Sequence, residues 1–133
     1  MRGNHLVREA RKRAGLTQAE LAARVGTTQS SIARFVAATG SPTSPTPTGN
    51  YFVTDRVAFP RTSPYGSFAF GISGIQPRLP SGWSGGDLLA IHGTNDPASI
   101  GKSVSTGCLR VGERALARLK LLLVRGTPVV IER

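Results

Sequence analysis

The chain has 133 residues, 39% of them hydrophobic and 18% charged, enough for one ordinary domain or two very small ones. No apolar run approaches the roughly 18 residues that a membrane-spanning helix needs, so no membrane span is expected. Seventeen Lys and Arg against seven Asp and Glu give a net charge of +10, which calls for an anionic partner, either nucleic acid or an acidic polymer surface. The single cysteine, Cys108, excludes a disulfide-stapled miniprotein and leaves packing or chemistry as its role.

The chain opens MRGNHLVREARKRAGL, basic and without a continuous apolar core, so no secretory signal is expected. Asn4 caps a helix whose apolar positions Leu6, Val7, Ala10 and Ala14 share a face, and Gly15 supplies its stop. Thr17-Gln18-Ala19-Glu20 is a capping box: the Thr17 hydroxyl and the Glu20 carboxylate reciprocally satisfy free backbone N–H groups. Leu21, Ala22 and Val25 form the inward face of the helix that follows. Gly26 allows a tight turn, and Thr28 caps a third helix beginning Gln29-Ser30-Ser31-Ile32.

Read from Leu16 to Ala33, this segment resembles the helix-turn-helix of the Cro and phage-repressor type. The resemblance implies that Gln18 contacts phosphate and that Gln29 reads base edges, with Ser30 and Arg34 nearby. Weak DNA binding through this segment is accordingly the alternative partner. The expected organisation is an incomplete helix-turn-helix segment over 1–35 and a second unit over 36–133. Helix is expected before Arg34 and extended backbone from Val36.

The stretch Ser41 to Gly49 reads Ser-Pro-Thr-Ser-Pro-Thr-Pro-Thr-Gly, which by composition alone is a stiff, extended linker. Beyond it, Asn50–Val57, Phe68–Ser73, Leu88–Gly93 and Thr127–Glu132 are short apolar or alternating runs separated by Gly and Pro, the pattern of strands. Glu113–Val124 has helical spacing. Leu116, Leu119, Leu122 and Leu123 lie on one side of it and Arg114, Arg118 and Lys120 on the other. The fold class is α+β, a mainly antiparallel sheet carrying one amphipathic helix, preceded by a short α-helical segment.

His92 ends one strand-like run and Cys108 follows in Ser105-Thr106-Gly107-Cys108-Leu109-Arg110. An imidazole beside a thiol can accept its proton and release a nucleophilic thiolate. Gly107 permits close backbone approach, so that the Gly107 and Cys108 amides could face a developing oxyanion, and Arg110 could hold a carboxylate. Without further context a lone cysteine is more often a small buried hydrophobe. Cys108, His92 and the distant Asp87 or Asp96 match no standard metal spacing, and neither metal nor cofactor is expected.

Two motifs change that balance. His92-Gly93-Thr94-Asn95 followed by Ser105-Thr106-Gly107-Cys108-Leu109-Arg110 resembles the signature of the L,D-transpeptidase catalytic domain of YkuD type, and Thr46-Pro47-Thr48-Gly49 matches its other landmark. The resemblance runs from about Phe35 to Arg133 and implies an N-terminally truncated sheet of that family. It implies an enzyme that cross-links or trims peptidoglycan stem peptides through a cysteine thioester, with Cys108 as nucleophile and His92 as base and then acid. Ser105 and Thr106 would shape the rim, Gly107 and Cys108 would donate to the oxyanion, and Gly93 and Arg110 would serve the substrate. The implied location is the cell envelope, outside the cytoplasmic membrane. A DNA-binding regulator and an inactive fused remnant are the alternatives.

Overall fold

A computed structural model describes residues 36–132. The helix-turn-helix reading, with Gln18, Gln29, Ser30 and Arg34, lies outside these residues. Val36, the first described residue, is in extended backbone, and the expected boundary with the preceding segment lies outside the described residues. Strands β1 (Ala37–Gly40), β2 (Gly49–Ala58), β3 (Phe68–Ile75), β4 (Leu88–His92), β5 (Ser103–Ser105), β6 (Leu109–Val111) and β7 (Pro128–Ile131) are joined by one helix, α1 (Glu113–Leu122). They form a seven-stranded sheet in the order β5-β1-β6-β4-β3-β2-β7. Most ladders are antiparallel, while β1–β5 and β4–β6 are parallel.

The strands expected after the linker-like stretch all form, within a residue or two of the expected ends. Strands β5 and β6 were not anticipated, because at three residues each they are too short to show an alternation. The linker reading of 41–48 is overturned. Ser44 and Thr46 are buried, the Gly40 amide donates to Thr46 Oγ1 at 2.9 Å, and the segment folds back against the sheet. Proline and threonine there set a rigid loop rather than a spacer.

Pleating divides the central strands into two faces. Leu89, Ile91, Leu109 and Val111 are buried in the same core as Leu116, Leu119 and Leu123, and Phe70 and Ile72 of β3 belong to it too. The helix ends at Leu122, which is only partly buried, so Leu116 and Leu119 are its core anchors. Arg56 of β2 locks the helix C-terminus. Its guanidinium donates to the carbonyls of Leu123 and Lys120, complementing the negative end of the helix dipole, and lies over the Phe68 and Phe70 rings at 5.5 and 5.6 Å.

Candidate active site

The opposite face of the same strands carries the polar residues. In the parallel β4–β6 ladder Ile91 pairs with Leu109 and His92 with Arg110. Since the side-chain period is two, Cys108, Arg110, Ala90 and His92 all project away from α1. A cavity of about 200 Å³ lies there, lined among others by Tyr65, Gln76, Trp83, His92, Ser105, Thr106, Cys108 and Arg110. The structure thus brings together five of the residues singled out in the sequence: Cys108, His92, Ser105, Thr106 and Arg110.

The other two glycines of the motifs are not lining residues. Gly93 packs behind His92, where a Cβ would come within 3.0 Å of Gly66 Cα and 2.9 Å of Glu113 Oε1. Its carbonyl is the partner of His92 Nδ1. A carbonyl only accepts, so this contact fixes the tautomer with the hydrogen on Nδ1 and leaves Nε2 as the basic nitrogen. The Tyr65 ring meets the imidazole edge-on at 5.2 Å. Behind this layer, Glu113 accepts from the Ser67 amide at 2.9 Å and from the Ser67 hydroxyl.

The nucleophile loop is held by its own serine. Ser105 is buried. Its hydroxyl donates to the Cys108 carbonyl at 2.6 Å and accepts from the Gly107 amide at 3.1 Å. Gly107 has φ of +123°, a backbone conformation that side-chain-bearing residues rarely adopt. Cys108 Sγ lies 3.9 Å from the Leu88 carbonyl.

Burial pushes the Cys108 thiol above its ordinary value, against the opposing effects of the Ala90 backbone and the Arg110 charge. Burial likewise holds His92 below its ordinary value. The Gly93 hydrogen bond works against that shift and Arg110 adds to it. The resting pair is therefore neutral thiol and neutral imidazole. Among the described residues no group of three or more His, Cys, Asp or Glu is arranged to hold a metal ion, and no helix is long and apolar enough to cross a membrane.

The chain and its sheet correspond to a known class. The family model of the L,D-transpeptidase catalytic domain, YkuD, matches residues 19–131. A protein of Bacillus subtilis (strain 168) named "Putative L,D-transpeptidase YkuD" is 34% identical over 96 residues, which is 72% of this chain and 51% of that protein. A second from the same strain, "Putative L,D-transpeptidase YqjB", is 35% identical over 103 residues, 71% of this chain and 56% of its own. The chain spans about half the length of these curated relatives.

Among solved structures, an L,D-transpeptidase from Mycobacterium tuberculosis H37Rv superposes with a TM-score of 0.55 at 22% identity, over 76% of this chain and 43% of that one. L,D-transpeptidase 3 from Mycobacterium tuberculosis, solved with a faropenem-derived adduct, gives 0.55 at 22% identity over 76% and 45%. These two likenesses concern the fold alone. The chain belongs to the YkuD family of L,D-transpeptidase catalytic domains.

Sequence reasoning passed over Gln76, Tyr65, Trp83 and Glu113. None sits in a motif; Tyr65, Gln76 and Trp83 line the cavity from segments outside the strands, and Glu113, at the start of α1, lies behind the site against Ser67. The one local signal was Gly107, whose neighbour must be close.

Proposed function

We propose that this chain is a cysteine acyltransferase acting on peptidoglycan stem peptides at the cell envelope, with Cys108 as nucleophile and His92 as general base. The observation that carries this reading is the placement of His92, Cys108 and Arg110 on one face of two adjacent strands, lining one cavity. Cys108 Sγ attacks the carbonyl at the L-configured centre of the diamino acid in stem position three, and His92 Nε2 takes the thiol proton.

The oxyanion formed on that carbonyl is met by the Cys108 amide, which Ser105 and Gln76 do not occupy. The Gly107 amide, engaged by Ser105, holds the loop in shape. Collapse breaks the peptide bond, and His92 returns its proton to the departing D-alanine amine. An amine of a second stem, or water, then attacks the thioester, loses its proton to His92 and releases the thiol. Arg110 supplies a fixed positive charge for a substrate carboxylate, Ser105 braces the nucleophile loop, and Thr106 forms the rim. Gly93 orients His92.

The test is intact mass after exposure to a carbapenem, a β-lactam whose ring carbonyl a reactive cysteine opens. One adduct per chain is expected, absent in Cys108→Ala. An adduct of equal extent in Cys108→Ala, or none in the unmodified chain, overturns the acyl-enzyme reading. DNA binding through Gln18, Gln29, Ser30 and Arg34 rests on the 16–33 motif alone. Its test is duplex affinity falling steeply with salt.

A further inference from the structure

We propose that Gln76 is a positioning residue for acyl transfer, whose side-chain amide fixes the peptide that presents the Cys108 N–H to the oxyanion. This assignment rests on the acyl-enzyme reading above. Gln76 ends just past β3 and is 4% exposed. Its Nε2 donates to the carbonyls of Pro45 and Thr106, both at 3.0 Å, and reaches that of Ser44 at 3.3 Å. Its Oε1 accepts from the Arg78 amide at 2.9 Å, and its own backbone amide donates to the Asp87 carbonyl at 2.7 Å. Carbonyls around one terminal atom and an N–H on the other leave a single consistent orientation of the amide.

One side chain therefore ties together three segments distant in sequence: Ser44-Pro45, just before Thr-Pro-Thr-Gly, the start of the 77–87 loop, and the nucleophile loop. The contact with Thr106 matters chemically. Thr106 C=O and Gly107 N–H belong to one rigid peptide plane. Gln76 holds that plane at its oxygen and Ser105 Oγ holds it at its nitrogen. With the plane fixed at both ends, only the φ and ψ of Gly107 remain to set the direction of the next peptide, whose N–H is that of Cys108. The absence of a side chain at Gly107 is what lets the amide approach, because a Cβ there would stand 2.2 Å from Gln76 Nε2. Gln76 also lines the cavity, but its hydrogen bond to the nucleophile loop is made to backbone, at the Thr106 carbonyl, and the assigned role runs through that contact.

Two reactions of the same thiol separate positioning from general support. Alkylation by iodoacetamide needs the thiolate but builds no oxyanion. Acylation by imipenem needs both. In the full-length chain, Gln76→Met keeps the side-chain length and removes the amide. Imipenem acylation, followed by intact mass, is expected to slow by about 10- to 100-fold, somewhat less than loss of an oxyanion donor outright. Alkylation should stay within about twofold, since the Cys108 and His92 side chains are untouched.

Gln76→Glu places a carboxylate against the same carbonyls. It should show the same split with a larger acylation loss, and it supplies the measurement if the Met variant fails to fold. Acylation at the unmodified rate in the folded variants, or alkylation and acylation falling in proportion, would overturn the assignment while leaving the acyl-enzyme reading intact. No adduct on the unmodified chain would overturn that reading and this assignment with it.

Discussion

Gly107→Ala tests how tightly the nucleophile loop is built. The native φ of +123° lies where an alanine is strained by about 1–3 kcal/mol. The new methyl would also stand 2.2 Å from Gln76 Nε2 and 3.3 Å from Leu89 Cδ2. Gln76 must then move, which breaks its two 3.0 Å hydrogen bonds at about 1 kcal/mol each and strands buried carbonyls. The sum is about 3–5 kcal/mol, a large part of the roughly 5–15 kcal/mol that holds a domain together. At roughly 4–8 °C per kcal/mol for a domain of this size, the melting midpoint should fall by more than about 10 °C.

The two contributions separate in a double-mutant cycle read by chemical denaturation. In a Gln76→Ala background the collision is gone, so Gly107→Ala should cost only its backbone strain, giving a coupling of about 2 kcal/mol. An identical cost in both backgrounds, or a midpoint within about 2 °C of the unmodified chain, would refute the reasoning.

Further expectations concern pH and packing. His92 is held below its ordinary value, so imipenem acylation should persist below pH 6.5 and be lost only as pH falls through the lowered folded value. A rate already halved at pH 6.5 would contradict this. The same shift means that the unfolded chain takes up a proton first, so His92's contribution to stability is present above 6.5 and declines on acidification below it, measurable as a difference in denaturation midpoint against His92→Gln. Burial raises the Cys108 thiol, so its iodoacetamide reactivity should still be climbing above the ordinary thiol value of 9.0, where a free cysteine levels off.

For Glu113, burial opposes ionisation, but the Ser67 hydrogen bonds, with Arg61 and Lys120, hold the carboxyl below its ordinary value of 4.5. The melting difference between the unmodified chain and Glu113→Gln should be full above that value and vanish as pH falls through the lowered one. A difference independent of pH would assign the loss to packing. On α1, Leu119→Ala should cost about 2–5 kcal/mol and Leu121→Ala, at a position 62% exposed, less than about 0.5 kcal/mol. Equal costs would mean the helix face is misassigned.

The parts of this architecture that could be read from sequence are those with a period. β2, β3, β4, β7 and the helix announce themselves because alternation or helical spacing runs long enough to separate from noise. Cys108 and His92 stand out through the resemblance of their segments to a family signature, since by residue type alone a single cysteine reads as packing. The Ser41–Gly49 stretch illustrates the opposite case. Its composition is that of a linker, and only the hydrogen bonds from Gln76 to Pro45 and from Gly40 to Thr46 tie it to the rest of the fold. Gln76 itself is invisible locally, since a glutamine beyond a strand end says nothing about three carbonyls 30 or more residues away. The pairing of β4 with β6 was likewise hidden, because parallel neighbours share no turn.

That parallel pairing has a consequence for how a population of these molecules can be counted. His92 and Cys108 reach the same side only while Ile91 stands opposite Leu109. A slip of a single residue would turn one of the pair toward the helix and leave the other facing the cavity by itself. On the acyl-enzyme mechanism proposed above, acylation of Cys108 would therefore report the fraction of chains whose two central strands are correctly matched. A burst amplitude below one per chain would measure misregistered protein in a preparation, even where circular dichroism reports the full complement of strand.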